Sequence, residues 1–252
     1  MKERVTLTIE ASLLRQIDNS VDGNEIRNRS HAVELLLREA MQNSAPAHGV
    51  LLAGGSTQAV DRVLRTKDGQ TYLEHNLQLL LEAGIEHIII ISKEPSRLQE
   101  VLKEAPADIQ YVTETHSLGT AGALHLAKPY IKGSFVVTNC DDRKNVNIKD
   151  MYAFHQQTSG ACTIALTTTN NPSEYGVALL NGNRIVTFVE KPDKEQTPSN
   201  LISAGLYIME QEVLDIVPSG YGRMEYDLFP KLTKKDELYG YPFSGLYEHT
   251  ES

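Results

Sequence analysis

The chain has 252 residues, of which 40% are hydrophobic and 23% charged, with a formal net charge of −9. The composition is typical of a globular protein, and the length suits one large domain or a small domain joined to a medium one. The acidity argues against nucleic acid as a partner of the whole chain. Residues 1–43, however, hold six basic and seven acidic residues, so this segment is almost neutral.

The sequence predicts a cytoplasmic protein without a membrane partner. No apolar run approaches the roughly 18–20 residues that span a bilayer, and no signal peptide opens the chain. Cys140 and Cys162 both lie in apolar, strand-like segments. We expect them to be free, buried thiols in a reducing compartment.

The first forty residues predict one strand and two short helices. Polar and apolar residues alternate from Arg4 to Ile9, which is the pattern of a strand with one apolar face. The segments that follow predict a helix over 11–21, a turn at 22–24 and a second helix with Ser30 as N-cap. The residues expected to be buried by the helices are Leu13, Leu14, Ile17, Val33, Leu36, Leu37, Ala40 and Met41.

This order of elements resembles the ribbon-helix-helix family of DNA-binding proteins. A unit of about 40 residues is too small for a stable monomeric core, so two copies would pair their strands in a dimer. By this resemblance Arg4, Thr6 and Thr8 would read base edges of double-stranded DNA, while Arg29 and Ser30 would hold a backbone phosphate. The alternative is a dimerisation arm that never contacts DNA. Residues 43–48 read as a linker.

From Gly49 onward the sequence predicts an α/β domain. Continuous apolar runs at 50–53, 88–91 and 135–138 are separated by helical patterns, as in a parallel sheet covered on both faces. Later strands at 163–166, 184–190 and 206–209 have shorter connections and indicate a mixed topology. Ligands of such sheets bind beyond the carboxyl ends of the strands.

Eight short motifs occur in order over about 200 residues: GVLLAGGS from Gly49, LEHNL from Leu73, LGTAGAL from Leu118, NCDD from Asn139, EYGVAL from Glu174, FVEKP from Phe188, NLISAGLYIM from Asn200 and EYDLFPKL from Glu225. Each is weak alone, but together they resemble the sugar-nucleotide nucleotidyltransferase family. This family joins a sugar 1-phosphate to a nucleoside triphosphate and releases pyrophosphate. The resemblance implies a Rossmann-like, GT-A-like mixed α/β fold.

The resemblance also implies three sets of site residues. The metal ligand would be Asp141, which suits Mg²⁺ because hard cations prefer oxygen. The residues implied to line the nucleotide are Leu52, Ala53, Gly54, Gly55, Gly119 and Thr120. Those implied for the sugar and its phosphate are Tyr175, Gly176, Glu190, Lys191, Ser203 and Gly205.

The family pattern is broken at the triphosphate and metal positions. Ala59 stands where the family has an arginine that grips the triphosphate, and the lysine that follows in the family falls at Arg62 or is displaced. His249 stands where the family has a second metal-binding aspartate, and histidine is a poor ligand for Mg²⁺. We therefore expect degenerate catalytic motifs and weak or absent Mg²⁺ binding.

These observations favour a homodimeric transcriptional regulator over an enzyme. Residues 1–42 would bind DNA and dimerise, and residues 49–252 would bind a nucleotide, sugar nucleotide or sugar phosphate as effector. One alternative is an active sugar-1-phosphate nucleotidyltransferase with an N-terminal dimerisation or autoregulatory DNA-binding domain. Another is a scaffold that neither catalyses nor binds DNA.

Overall fold

The computed structural model of the protein describes residues 6–24, 26–42 and 45–249, without the side chains of residues 38–42. The chain divides into two compact units, Met1–Ser44 and Ala45–Ser252.

The described residues form eight α-helices and several shorter helical turns. The α-helices are Ala11–Asn19 (α1), Arg29–Gln42 (α2), Thr57–Val63 (α3), Tyr72–Glu82 (α4), Pro95–Val101 (α5), Gly119–His125 (α6), Ile148–Gln157 (α7) and Phe229–Lys234 (α8). The 3₁₀ turns are Lys128–Tyr130, Pro172–Glu174, Lys194–Gln196 and Gln211–Asp215, and Met224–Leu228 is a π-helical turn.

Thirteen strands occur in the same part of the chain. They are His48–Leu52 (β1), Thr66–Lys67 (β2), Gln70–Thr71 (β3), His87–Ser92 (β4), Asp108–Thr113 (β5), Phe135–Asn139 (β6), Asp142–Lys144 (β7), Cys162–Thr168 (β8), Gly176–Asn181 (β9), Arg184–Glu190 (β10), Leu201–Met209 (β11), Leu238–Pro242 (β12) and Tyr247–His249 (β13).

The N-terminal unit contains the two predicted helices, but its described residues do not form the predicted strand. Residues 6–10 lead into α1 without forming a strand, and Arg4 and Val5 lie outside the described residues. A lone strand has no partner for its backbone hydrogen bonds in a single chain, which is why the pattern alone does not produce one. Thr6 and Thr8 are exposed.

The start of the second helix also differs from the prediction. Helix α2 begins at Arg29, and the side chain of Asn28 accepts a hydrogen bond from the backbone of His31 at 3.0 Å, so Asn28 rather than Ser30 has the capping role. The Nε and Nη2 atoms of Arg29 each donate a hydrogen bond of 2.7 Å to the carboxylate of Asp18. Arg29 therefore joins the two helices within the chain.

Several leucines of this unit that were expected to be buried are exposed. Ile17 and Ala32 are buried, whereas Leu13, Leu36 and Leu37 keep about half of their surface in solvent, at 51%, 47% and 52%. Two short helices enclose too little volume to cover every apolar side chain. The unit therefore presents an unpaired apolar surface in a single chain.

The larger unit is built on one nine-stranded sheet, in the order β5-β4-β1-β6-β11-β8-β12-β10-β9. Strands β5, β4, β1 and β6 are parallel to one another, and β11 then runs antiparallel to both β6 and β8. The prediction of a mixed α/β sheet is confirmed.

Alternate residues of the central strands pack against opposite sides of the sheet. In β1, Val50 belongs to the core on one side and Leu51 to the core on the other, and neither is exposed to solvent. Helix α4 covers one face and begins with a reciprocal capping pair, in which Thr71 and Glu74 each bond the other's backbone amide. The strands are continuously apolar because helices bury both faces.

The register of β1 with β6 determines where the functional loops emerge. These parallel neighbours pair Leu52 with Asn139, the last residue of each strand. The loops that follow, from Ala53 and from Cys140, therefore leave the same edge of the sheet at the same level. This is the carboxyl edge, where ligands of open α/β sheets bind.

The state of the two cysteines agrees with the sequence prediction. Cys140 and Cys162 are both buried free thiols, as predicted. Within the residues described, no helix combines the length and the apolar character needed to cross a membrane.

Candidate active site

A glycine turn follows β1 and forms the floor of a cleft. Gly54 has φ = +100°, a conformation that favours glycine, and a Cβ atom there would lie 2.9 Å from the backbone of Ala59. Helix α3 begins directly after this turn and is capped by Ser56, whose side chain accepts a hydrogen bond from the Ala59 amide. The turn and the helix are therefore in direct contact, and only a residue without a side chain fits between them.

The second glycine makes room for a carboxylate. A Cβ atom on Gly55 would lie 2.8 Å from an oxygen of Glu114, the residue that follows β5. Glu114 is 3% exposed and accepts a short hydrogen bond of 2.6 Å from the amide of Leu118. That bond ties the end of β5 to the loop that opens α6.

The first two turns of α6 form the opposite wall. Gly119 has φ = +69°, and a Cβ atom there would lie 2.4 Å from the carbonyl oxygen of Gly222. The hydroxyl of Thr120 donates to Glu225 at 3.3 Å and accepts from the amide of Met224 at 2.9 Å. The wall is thus held by the segment that precedes α8.

We call this space the glycine-loop cleft. Its lining residues come from the ends of β1, β4, β5 and β6 and from α3 and α6: Leu52, Gly54, Gly55, Ala59, Val63, Ile91, Glu114, Ser117, Gly119, Thr120, Ala123, Asn139 and Asp141.

Asp141 directly precedes a residue that forms a buried ion pair. The next residue, Asp142, pairs with the buried ammonium of Lys144, which also donates to Thr138 and to the carbonyl of Asn139. Burial raises the pKa of Asp142 to about 7, although Lys144 opposes the shift. This network fixes the backbone that carries Asp141 at the edge of the cleft.

A second cleft, the tyrosine cleft, adjoins the first. It is lined by Thr169, Asn171, Ser173, Glu174, Tyr175, Lys191 and His249. Lys191 has φ = +46°, and its amide donates to the carbonyl of Tyr175 at 2.9 Å. The Nε2 atom of His249 lies 3.9 Å from Oδ2 of Asp141, so this pair joins the two clefts.

Glu190, the residue before Lys191, lies close to a positively charged side chain. The carboxylate of Glu190 lies 3.5 Å from the guanidinium of Arg223, whose side chain also covers the ring of Tyr226 at 4.7 Å. Burial raises the pKa of Glu190, and the neighbouring carboxylate of Glu225 raises it further. A carboxyl of this kind suits hydrogen bonds to neutral hydroxyls.

The remaining residues assigned to the sugar side are packed around the same sheet edge. A Cβ atom on Gly176 would lie 2.9 Å from Glu190, and one on Gly205 would lie 2.9 Å from Asp142. The hydroxyl of Ser203 accepts from the Gly205 amide at 3.3 Å. Ala53 is fully buried under the glycine turn and does not line the cleft.

Ala59 and Arg62, the two departures from the family motif in α3, differ in their location. Ala59 lines the glycine-loop cleft, so an alanine methyl faces the space where the family motif has an arginine. Arg62, one helical turn later, is not among the cleft residues.

The sequence interpretation missed Glu114, Ser117, Lys144 and Arg223. Glu114 precedes the LGTAGAL motif by four residues, and its role depends on a contact with Gly55, about sixty residues earlier in the chain. Arg223 lies two residues before the EYDLFPKL motif, and only the fold brings it to Glu190. Neither contact has a signal in local sequence.

The donor atoms at the edge of the cleft fit a divalent cation in part. Asp141 offers a carboxylate, and Oδ1 of Asn139 is buried without a hydrogen-bond partner beside the same cleft. Oxygen donors of this kind suit Mg²⁺. No cluster of three or more His, Cys, Asp or Glu side chains that could hold a metal occurs among the described residues.

The sequence model of the nucleotidyl transferase family matches residues 48–247. This match covers most of the chain, including every strand of the nine-stranded sheet and both clefts up to Tyr247. The chain therefore belongs to the nucleotidyl transferase family.

Curated relatives and solved structures agree with this assignment. Mannose-1-phosphate guanyltransferase 2 of Candida glabrata is 33% identical over 217 residues, which are 79% of this chain and 60% of the relative. The catalytic subunit beta of a Drosophila melanogaster mannose-1-phosphate guanylyltransferase is 33% identical over 69% of this chain and 49% of its own. A putative glucose-1-phosphate thymidylyltransferase from Bacillus anthracis superposes with a TM-score of 0.73 at 20% identity, covering 81% and 90% of the two chains.

These comparisons correct the functional prediction. The prediction of a DNA-binding transcriptional regulator, with the larger domain as a non-catalytic effector sensor, is wrong, because the relatives that match most of the chain are named as sugar-phosphate nucleotidyltransferases. They point to an enzyme, and they support no DNA partner for Arg4, Thr6, Thr8, Arg29 or Ser30. The chain spans about 60% of the length of the first relatives it matches.

The conformation of Gly54 makes a direct stability prediction. Gly54→Ala should lower the free energy of unfolding by about 1–3 kcal/mol, because the new methyl is strained at φ = +100° and meets the Ala59 backbone. Gly69→Ala is the matched control, with φ = +82° and no atom within 4 Å of the added Cβ. Urea unfolding should give a smaller loss for Gly69→Ala, and equal losses would contradict the proposed contact between the turn and α3.

Proposed function

We propose that this protein is a sugar-1-phosphate nucleotidyltransferase. In the proposed reaction a phosphate oxygen of the sugar 1-phosphate attacks the α-phosphorus of a nucleoside triphosphate. The bond between the α- and β-phosphates breaks, and pyrophosphate leaves. The products are a nucleoside diphosphate sugar and pyrophosphate.

The arrangement at the carboxyl edge of the sheet carries the proposal. The glycine turn after β1 and Asp141 after β6 lie side by side because their strands end in register. A backbone without side chains lets phosphates approach its amides closely, and a carboxylate at the same edge suits the cation that accompanies them. The nucleotide would therefore occupy the glycine-loop cleft, lined by Leu52, Gly54, Gly55, Gly119 and Thr120, with Ala53 supporting the turn from below.

The sugar 1-phosphate would occupy the tyrosine cleft. Lys191 and Tyr175 line this space, and the positive charge of Lys191 suits the attacking phosphate. Glu190 would accept hydrogen bonds from sugar hydroxyls, with Gly176, Ser203 and Gly205 forming the surrounding backbone. The Asp141–His249 pair joins the two clefts, so an attacking group in one would face a phosphate in the other.

A divalent cation completes the proposed chemistry. Asp141 would hold it, and the bound ion neutralises charge on the phosphates during transfer. Mg²⁺ is the ordinary choice for a site of oxygen ligands.

The relatives suggest which substrates to test first. Several are named mannose-1-phosphate guanyltransferases, so GTP with mannose 1-phosphate is the leading pair. Glucose 1-phosphate with dTTP and with UTP follow from the names of structures that share the fold.

The proposed activity predicts pyrophosphate release that depends on Asp141. The full chain is incubated with each nucleoside triphosphate, each sugar 1-phosphate and either Mg²⁺ or Mn²⁺, and pyrophosphate is measured by a coupled assay. Asp141→Asn should lower kcat by on the order of a hundredfold or more, because the amide cannot neutralise the cation.

Asp215→Asn is the matched control, since Asp215 is exposed and pairs with Lys128 away from both clefts. It should leave the rate unchanged. Absence of pyrophosphate with every substrate pair would contradict the proposed function, as would an undiminished rate in Asp141→Asn.

We further propose that the N-terminal unit pairs two copies of the chain. Leu13, Leu36 and Leu37 are each about half exposed on two short helices, an apolar surface that water disfavours. Pairing with the same surface of a second copy would bury these side chains. This role needs no DNA.

The pairing proposal predicts the mass of the protein in solution. Light scattering of the full chain should give about twice 28.0 kDa. The double variant Leu36→Glu, Leu37→Glu should give one chain mass, because charged groups resist burial. Leu179→Glu, at an exposed leucine of the larger unit, should remain paired. A monomeric wild type would refute the proposal, and so would a double variant that stays dimeric.

A further inference from the structure

The position of His249 is determined by a short antiparallel pairing. Strand β13 runs beside β7 and pairs His249 with Asp142. Asp141 immediately precedes β7, so the imidazole is brought to the carboxylate that borders the glycine-loop cleft. Asp141 is 33% exposed and His249 is 27% exposed, which leaves both groups accessible from the clefts.

The separation of the two groups suits a shared ion. At 3.9 Å between Nε2 and Oδ2 the pair is too far apart for a hydrogen bond. Two ligands that are each about 2.1 Å from one metal ion are separated by about 3.0–3.4 Å in octahedral or tetrahedral geometry. A movement of less than about 1 Å therefore brings both groups into one coordination sphere.

The neighbouring carboxylate does not replace the histidine. Side chains alternate along β13, so Glu248 points away from Asp141. Its carboxylate binds Lys67 at 2.9 Å and lies 3.7 Å from Arg143. The ligand presented to the cleft by this strand is therefore nitrogen and not oxygen.

Aromatic rings restrict the orientation of the imidazole. The ring of Tyr175 stands edge-on to His249, with centroids 6.4 Å apart, and Tyr247 stands edge-on to Tyr175 at 6.0 Å. In this arrangement Nε2 is the imidazole nitrogen that lies 3.9 Å from Asp141. An ordered nitrogen ligand loses less conformational entropy on binding a metal.

We propose that Asp141 and His249 form a mixed oxygen and nitrogen cation site that prefers Mn²⁺ or Co²⁺ to Mg²⁺. Imidazole suits borderline transition metals, whereas Mg²⁺ prefers an all-oxygen shell and loses its water reluctantly. The buried Oδ1 of Asn139, which has no hydrogen-bond partner, is a further oxygen at the same edge. The inference rests on the proposed function in one respect, since nucleotide phosphates supply the remaining ligands.

The test uses the full chain with Mn²⁺, first alone and then with GTP. Pulsed electron paramagnetic resonance detects a nitrogen nucleus bound to Mn²⁺. The wild type should show this coupling, and His249→Asp should bind Mn²⁺ without it. The ratio of the Mg²⁺ and Mn²⁺ dissociation constants, measured by competition, should shift roughly tenfold toward Mg²⁺ in His249→Asp.

His87→Asp is the matched control, because His87 is exposed at the opposite end of the sheet. It should keep the nitrogen coupling and the metal preference. A wild type without nitrogen coupling would refute the inference, as would an unchanged ratio in His249→Asp. If the protein releases pyrophosphate with Mg²⁺ but shows no nitrogen coupling, the proposed activity stands and the mixed cation site is refuted. If it shows nitrogen coupling but releases no pyrophosphate under any condition, the cation site stands and the proposed activity is refuted.

Discussion

The parallel pairing of β1 with β6 is the constraint on which the candidate site depends. Both strands end at one level, Leu52 beside Asn139, so the glycine turn and Asp141 emerge together. Hydrogen bonds along the strands and the apolar cores on both faces maintain this alignment. A slip in the register would move Asp141 away from the turn. The relative position of the glycine turn and Asp141 therefore depends on the packing of the sheet.

The pairing of β13 with β7 produces a feature by which this chain departs from the family motif. Strand β13 lies against β7 and brings His249 to Asp141, while Glu248 is held by Lys67 and Arg143 on the other side. Ala59 removes a positive charge from the cleft at the same time that His249 introduces nitrogen at its edge. Under the proposed function, the two changes would alter how phosphate charge is neutralised. They do not remove the clefts, and this agrees with relatives that are named as enzymes.

Much of the larger domain is predictable from sequence because its buried strands are continuous apolar runs, as in β4 and β6. The eight ordered motifs predict the family, which the comparisons confirm. Contacts between distant segments are not predictable in this way: Glu114 with Gly55, and Glu190 with Arg223, depend on the folded sheet. The functional prediction was wrong for a related reason. An alanine at position 59 and a histidine at position 249 change two family positions, but they leave both clefts in place.

The most direct test of this account is to restore the missing charge in the glycine-loop cleft. Ala59→Arg should tighten binding of a nucleoside triphosphate roughly tenfold or more, since a charge-assisted hydrogen bond contributes about 1.5–3 kcal/mol. Ala59→Gln adds similar length without charge and should change the affinity little. Isothermal titration calorimetry of both variants against the wild type measures the difference. Equal affinity for all three proteins would contradict the claim that this cleft holds the triphosphate.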